Sequence, residues 1–167
     1  MSFSIELNTL SPSVLSQIAK ESKDAETLKK LIAVNENAVY LDVVRNIHAD
    51  KETLKTLYEK YKSSDHVIYA LRKNISTPTD ILHEITQNTD EGWRAEHLLG
   101  NPSLLAGDLD DLYERFHGAR NLSKFVEKIV RHPNTSATTL IKIAEWDSRF
   151  AGQLLDTGKV KLVPKDD

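Results

Sequence analysis

The sequence predicts an all-α fold: an α-solenoid of about five helical-hairpin repeats, with an N-terminal capping helix and a short irregular C-terminal tail. Three observations carry that expectation. A phrase recurs four times along the 167 residues, as Asn46-Ile-His-Ala-Asp-Lys-Glu-Thr-Leu54, Asn74-Ile-Ser-Thr-Pro-Thr-Asp-Ile-Leu82, Asn101-Pro-Ser-Leu-Leu-Ala-Gly-Asp-Leu109 and His132-Pro-Asn-Thr-Ser-Ala-Thr-Thr-Leu140. Each copy runs into Leu-x-x-[Leu/Ile], a spacing that puts both residues on one helical stripe. The copies recur at a nearly fixed period, and a fixed-period phrase is the mark of one small unit stacked in series.

Taken in chain order, the first element is the segment Ser11-Pro-Ser-Val-Leu15-x-x-Ile18-Ala19, a helix expected to act as a degenerate terminal unit and cap, residues 1–22. Because Leu15 precedes Leu28 by only half a repeat, the phase of the first two helices stays open. The array follows over residues 23–155. Its first-helix stripes begin at Leu28, Leu54, Leu82, Leu109 and Leu140, a nearly even series in which only the last interval is stretched. A second apolar pair follows each stripe, at Val43-Val44, Ala70-Leu71, Leu98-Leu99, Ile129-Val130 and Leu154-Leu155. Residues 156–167 break the pattern and are expected to form an extended or mobile tail, the whole being a single domain.

The joint between units is constant. From the end of each second pair to the next first-helix Leu (44 to 54, 71 to 82, 99 to 109, 130 to 140) the length of chain varies by no more than a single position. The stretch inside the hairpins is less even, and the excess falls in the fourth, around Phe116-His-Gly-Ala-Arg-Asn121. Insertions in stacked repeats map to an exposed edge, often the binding edge. Asn46, Asn74 and Asn101 stand where a helix must end, and the expectation is that Asn serves there for its tolerance of left-handed backbone. Pro102 and Pro133 forbid continuation. Asp50, Asp80, Asp108 and Thr138 lie near the next helix start as capping oxygens, and Arg45, Lys73 and Arg131 lie at the preceding C-terminal ends with the favourable sign.

These motifs, in particular Leu99-Gly-Asn101-Pro102-Ser103 after Trp93-Arg94, and Val130-Arg-His132-Pro133-Asn134-Thr135 leading to Leu140-x-x-Ile143-Ala144, resemble the bacterial leucine-rich repeat variant family. The resemblance covers roughly residues 45 to 155. It implies alternating helices in a right-handed solenoid related to HEAT repeats, and a binding scaffold without catalytic residues. The units here are longer than the family's, the Pro expected after Asn is replaced by Ile47 and Ile75, and His132 stands for Asn.

Composition narrows the function classes. Cysteine is absent, which removes disulfides, thiolate metal sites and Cys nucleophiles and fits a reducing compartment, so a cytoplasmic location is expected. No N-terminal leader pattern and no apolar run of about 20 residues is present, which leaves no membrane role. Net charge is −3, yet residues 73–114 hold nine acids against Lys73 and Arg94. That acidic middle is expected to favour a basic partner.

Six histidines, at 48, 66, 83, 97, 117 and 132, fall in no ligand motif, so no metal site and no cofactor is expected. His132 reads as a substitute for the ladder Asn. Phosphate loops, nucleophile elbows and nucleophile–base spacings are all missing, which predicts no catalytic residue and no enzyme. The leading expectation is a protein-interaction scaffold. Its contact residues are predicted at the outward positions Lys55, His83, Asp110, Asp111 and Lys142 and on the insertion, at Phe116, His117 and Arg120. Reversing Asp110 and Asp111 to Lys should then weaken binding and leave helicity unchanged. The second reading is nucleic-acid binding along Arg45, Arg72, Lys73, Arg94, Arg115, Arg120 and Arg131, and a third is a ligand pocket between the second helices. Trp93 and Trp146 each sit at a turn within a hairpin, where they either pack between units or form hot spots.

Overall fold

Helix is the only regular structure in the computed structural model, which describes residues 6–118, 123–161 and 163; among these there is no strand. Ten α-helices follow in chain order among the described residues: α1 (Pro12–Glu21), α2 (Ala25–Arg45), α3 (Lys51–Tyr61), α4 (Asp65–Lys73), α5 (Thr79–Gln87), α6 (Gly92–Leu98), α7 (Ala106–Phe116), α8 (Ser123–Arg131), α9 (Ala137–Trp146) and α10 (Ala151–Asp156). The chain divides into two compact units, Met1–Ile85 and Thr86–Asp167, with the boundary inside α5.

In the first unit the predicted stripes form the core. Leu28, Leu31, Leu54, Leu57 and Leu82 are all buried, as are Val43, Val44, Ala70 and Leu71 from the second stripes. Each buried Leu contributes roughly 1.5–3 kcal/mol relative to exposure. The first hairpin has no turn of its own: α2 runs through both halves and breaks at Asn35 (φ −154°, ψ 76°). The Asn35 side-chain oxygen accepts the Ala38 N–H at 3.3 Å and so starts the second half. Helix α1 packs against α2, and its Leu15 and Ala19 are buried.

In the second unit Leu98, Leu104, Leu109, Leu112, Phe125, Ile129, Leu140 and Ile143 are buried. The fifth hairpin closes less completely. Helix α10 is short and buries none of its residues, and Leu155 is exposed.

The joints show what the recurring Asn does. Asn46 and Asn74 end their helices with extended backbone (φ −78°, ψ 122° and φ −75°, ψ 116°), so the expected left-handed conformation is not used. Their side chains act instead. The Asn46 amide donates to the carbonyls of Ala19 and Ser22, both at 2.8 Å, and its oxygen accepts the His48 N–H at 2.8 Å. Asn74 repeats this at the next joint, donating to Val44 O (2.7 Å) and Asn46 O (3.0 Å) and accepting from Ser76 N–H (2.9 Å). Helix-end carbonyls lack intrahelical partners, and here the next joint supplies them. Asp24, Asp50 and Ser136 cap the following helices, accepting the N–H groups of Thr27, Thr53 and Thr139. Asp80 pairs with Lys55 and also meets backbone N–H groups at the start of α5, and Ser136 takes the capping role expected of Thr138.

Candidate functional site

The second unit repeats the rung with different chemistry. Asn101 is fully buried and accepts the Ser103 N–H at 3.0 Å. His132 takes the next rung: Nδ1 accepts the Asn134 N–H at 3.2 Å, which leaves Nε2 to carry the proton and donate to Asn101 O at 3.0 Å. Burial holds this imidazole below its ordinary pKa, in line with a neutral donor–acceptor role.

The fifth rung is Lys159, one repeat length beyond His132 in a segment expected to be a tail. Gly158 turns the chain there with φ 67°, a left-handed conformation that suits glycine. The Lys159 ammonium donates to His132 O at 3.2 Å and Thr135 O at 2.8 Å.

Within the second unit the hairpin turns lie at the opposite helix ends from its joints. These turns are aromatic. Phe116 meets Phe125 edge-on with ring centroids 6.1 Å apart. His117 stacks on Tyr113 at 4.5 Å, holds the Tyr113 carbonyl through Nδ1 at 2.8 Å, and meets the Trp146 ring edge-on at 5.7 Å. Trp146 is 48% exposed in spite of that contact. Trp93, one hairpin before His117, is 54% exposed, with His97 edge-on at 5.7 Å, Arg94 over its face and its indole N–H donated to Glu91. Neither tryptophan is consumed by packing between hairpins.

The predicted contact residues divide into two groups. Phe116 and His117 belong to the aromatic edge, while Arg120 lies outside the described residues. The others mostly brace neighbouring hairpins: Lys55 pairs with Asp80 at 2.6 Å, Asp110 accepts from the Ser136 and Thr139 hydroxyls, and Lys142 pairs with Glu114. Asp111 pairs with Arg115 at 2.6 Å, and Arg115 also donates to the carbonyls of Thr86 and Thr89, both at 2.8 Å. His83 is exposed on α5. The Lys142 contact keeps Glu114 below the usual carboxylate range, and Lys128 does the same for Glu96.

The acidic middle is therefore largely balanced at short range. Asp80, Glu96, Asp111 and Glu114 pair with Lys55, Lys128, Arg115 and Lys142, and Asp90 and Glu91 flank Arg94. Asp108 accepts the Leu105 N–H at 3.3 Å and Glu84 bonds to Tyr58. The basic residues of the nucleic-acid reading are engaged too. Arg45 lies 3.9 Å from Asp42, Arg131 pairs with Glu127, Lys73 covers Tyr69, and Arg72 is buried.

Among the described residues no three His, Asp or Glu side chains gather as a metal site, and no helix is long and apolar enough to cross a membrane. No protein-family model, curated protein or solved structure matches this chain.

Proposed function

We propose that this chain is a non-catalytic helical-repeat scaffold, an α-solenoid of leucine-rich-repeat-variant or HEAT-like type, that binds a protein partner through the aromatic turn edge of its second unit. The observation that carries the reading is the half exposure of Trp146 beside His117. An aromatic residue offers roughly 150–250 Å² of surface, so covering the open half of one tryptophan is worth about 3 kcal/mol at ~25 cal/mol per Å². Two such rings, on the first and last of the three turns, supply the kind of anchors that dominate protein interfaces.

The partner's complementary groups are basic. Asp90 and Glu91 flank Trp93, Glu145 precedes Trp146, and all three carboxylates are exposed. Exposed pairs such as Arg94 with Asp90 and Glu91 are worth no more than about 1 kcal/mol and exchange readily for an incoming cation. The test is affinity capture with immobilised wild type and with Trp93→Ala/Trp146→Ala, followed by mass spectrometry of bound proteins. Loss of a wild-type partner from the double variant, at unchanged helicity, is the expected result. Equal retention by both proteins overturns the assignment of this edge.

A further inference from the structure

The joint edge of the second unit carries a feature that the ladder does not require. The rungs before Lys159 donate through neutral groups: Asn46 and Asn74 each reach two carbonyls and His132 reaches one. Lys159 supplies the two donors together with a full positive charge and a third N–H. Among the described residues no carboxylate lies within salt-bridge distance of it. Its charge reaches His132, and burial alone lowers its own pKa, with no acid acting to raise it.

Lys159 lines an open cleft of 460 Å³ together with Val130, Arg131, Pro133, Gln153 and Asp156. A second cleft of 250 Å³ shares Arg131, His132 and Pro133 and is completed by Leu99, Pro102 and Lys128. The two clefts adjoin at these shared residues and are taken together as one groove. The charged residues lining the two clefts are Lys128, Arg131, Lys159 and Asp156; Lys128 is paired with Glu96 and Arg131 with Glu127, which leaves Lys159 as the cation of the site without a carboxylate partner among the described residues.

We propose that this groove is a recognition site for an acidic peptide segment, with Lys159 and Arg131 receiving its carboxylates. Arg131 offers the planar fork that matches a carboxylate. Its present partner, Glu127, is one turn away on the same helix, and such an exposed pair costs little to exchange. Pro102, Pro133, Val130 and Leu99 give apolar walls between the cations, suited to a chain rather than a bare ion. Asp156 in the wall repels any anion, and a phosphate dianion more strongly than a single carboxylate.

The test is fluorescence anisotropy with a labelled decapeptide of alternating Glu and Ala, against its Gln–Ala counterpart, at low and at physiological salt. The Glu peptide binds and the Gln peptide does not. Lys159→Gln keeps two neutral donors for the His132 and Thr135 carbonyls and removes the charge. It weakens binding at least fivefold without lowering the melting temperature, and Arg131→Gln does the same. Lys30→Gln, in the first unit, leaves binding unchanged, as does Trp93→Ala/Trp146→Ala, so the result is independent of the turn edge. Equal binding of the two peptides, full binding by Lys159→Gln and Arg131→Gln, or displacement by inorganic phosphate but not by glutarate would overturn the proposal.

Discussion

Removing one rung of the ladder has a calculable consequence, and Asn74→Ala is the cleanest case. Asn74 is 2% exposed, and the change deletes two donated bonds, to Val44 O and Asn46 O, and one accepted from Ser76 N–H. At about 1 kcal/mol for each net hydrogen bond the loss is about 3 kcal/mol, and Val44 O is left with its desolvation unmet. For a chain of this length about 2–4 °C of melting temperature accompanies each kcal/mol, so the midpoint should fall by about 6–12 °C. Asn74→Asp keeps the acceptor for Ser76 but turns carboxylate oxygens toward two carbonyls, and should cost at least as much. Urea unfolding followed by circular dichroism at a helix band reads both. If Asn74 acted only as a helix stop, alanine would cost no more than a typical surface substitution, about 0.5 kcal/mol. Changes that small in both variants would refute the ladder.

His132 predicts a pH dependence. Its folded-state pKa is lowered by burial, so the unfolded chain binds the proton more readily. The stability it contributes is full above the ordinary value of 6.5 and is lost as pH falls below it; unfolding midpoints between pH 7 and 5 should decline, and His132→Asn should flatten that decline. Carboxylates such as Glu36, Asp50 and Glu114, whose pKa values are lowered from 4.5 or 3.8 by hydrogen bonds to Lys60, Thr53 and Lys142, act only at lower pH. Asp110→Lys with Asp111→Lys breaks the Ser136–Thr139 contact and sets two cations near Arg115 and Lys142, so we expect about 1–2 kcal/mol of destabilisation in thermal melts, where the sequence alone suggests none. Trp146→Ala deletes the covered half of the ring and should lower the melting temperature by about 3–8 °C; a larger drop would make it a core residue. Acrylamide should quench both tryptophans of the native protein efficiently, and shielding of either contradicts its exposure.

Much of the fold is legible in the sequence because apolar spacing and burial answer to the same helical geometry. Leu28, Leu54, Leu82, Leu109 and Leu140 stand at the expected positions and are all buried. The role of Asn is not legible in the same way, because a helix-ending residue can act through backbone conformation or through its side chain, and both leave the same letter in the sequence. Lys159 escapes the pattern although it keeps the repeat spacing, since Lys shares no shape with Asn and only its donors are equivalent. At the candidate site, the turn position of Phe116 and His117 follows from the insertion length. The fate of Lys55, Asp110, Asp111 and Lys142 does not. An outward residue on one hairpin reaches the next hairpin only through a lateral stacking distance that no local pattern encodes.

The turn edge as the partner-binding surface is tested most directly by hydrogen–deuterium exchange of the chain alone and bound to a partner captured by the wild type. Exchange should slow at the three turns of the second unit, around residues 88–94, 115–118 and 145–149, and stay unchanged along α3 and α4. Protection confined to α3 and α4, with the three turns unaffected, would contradict it.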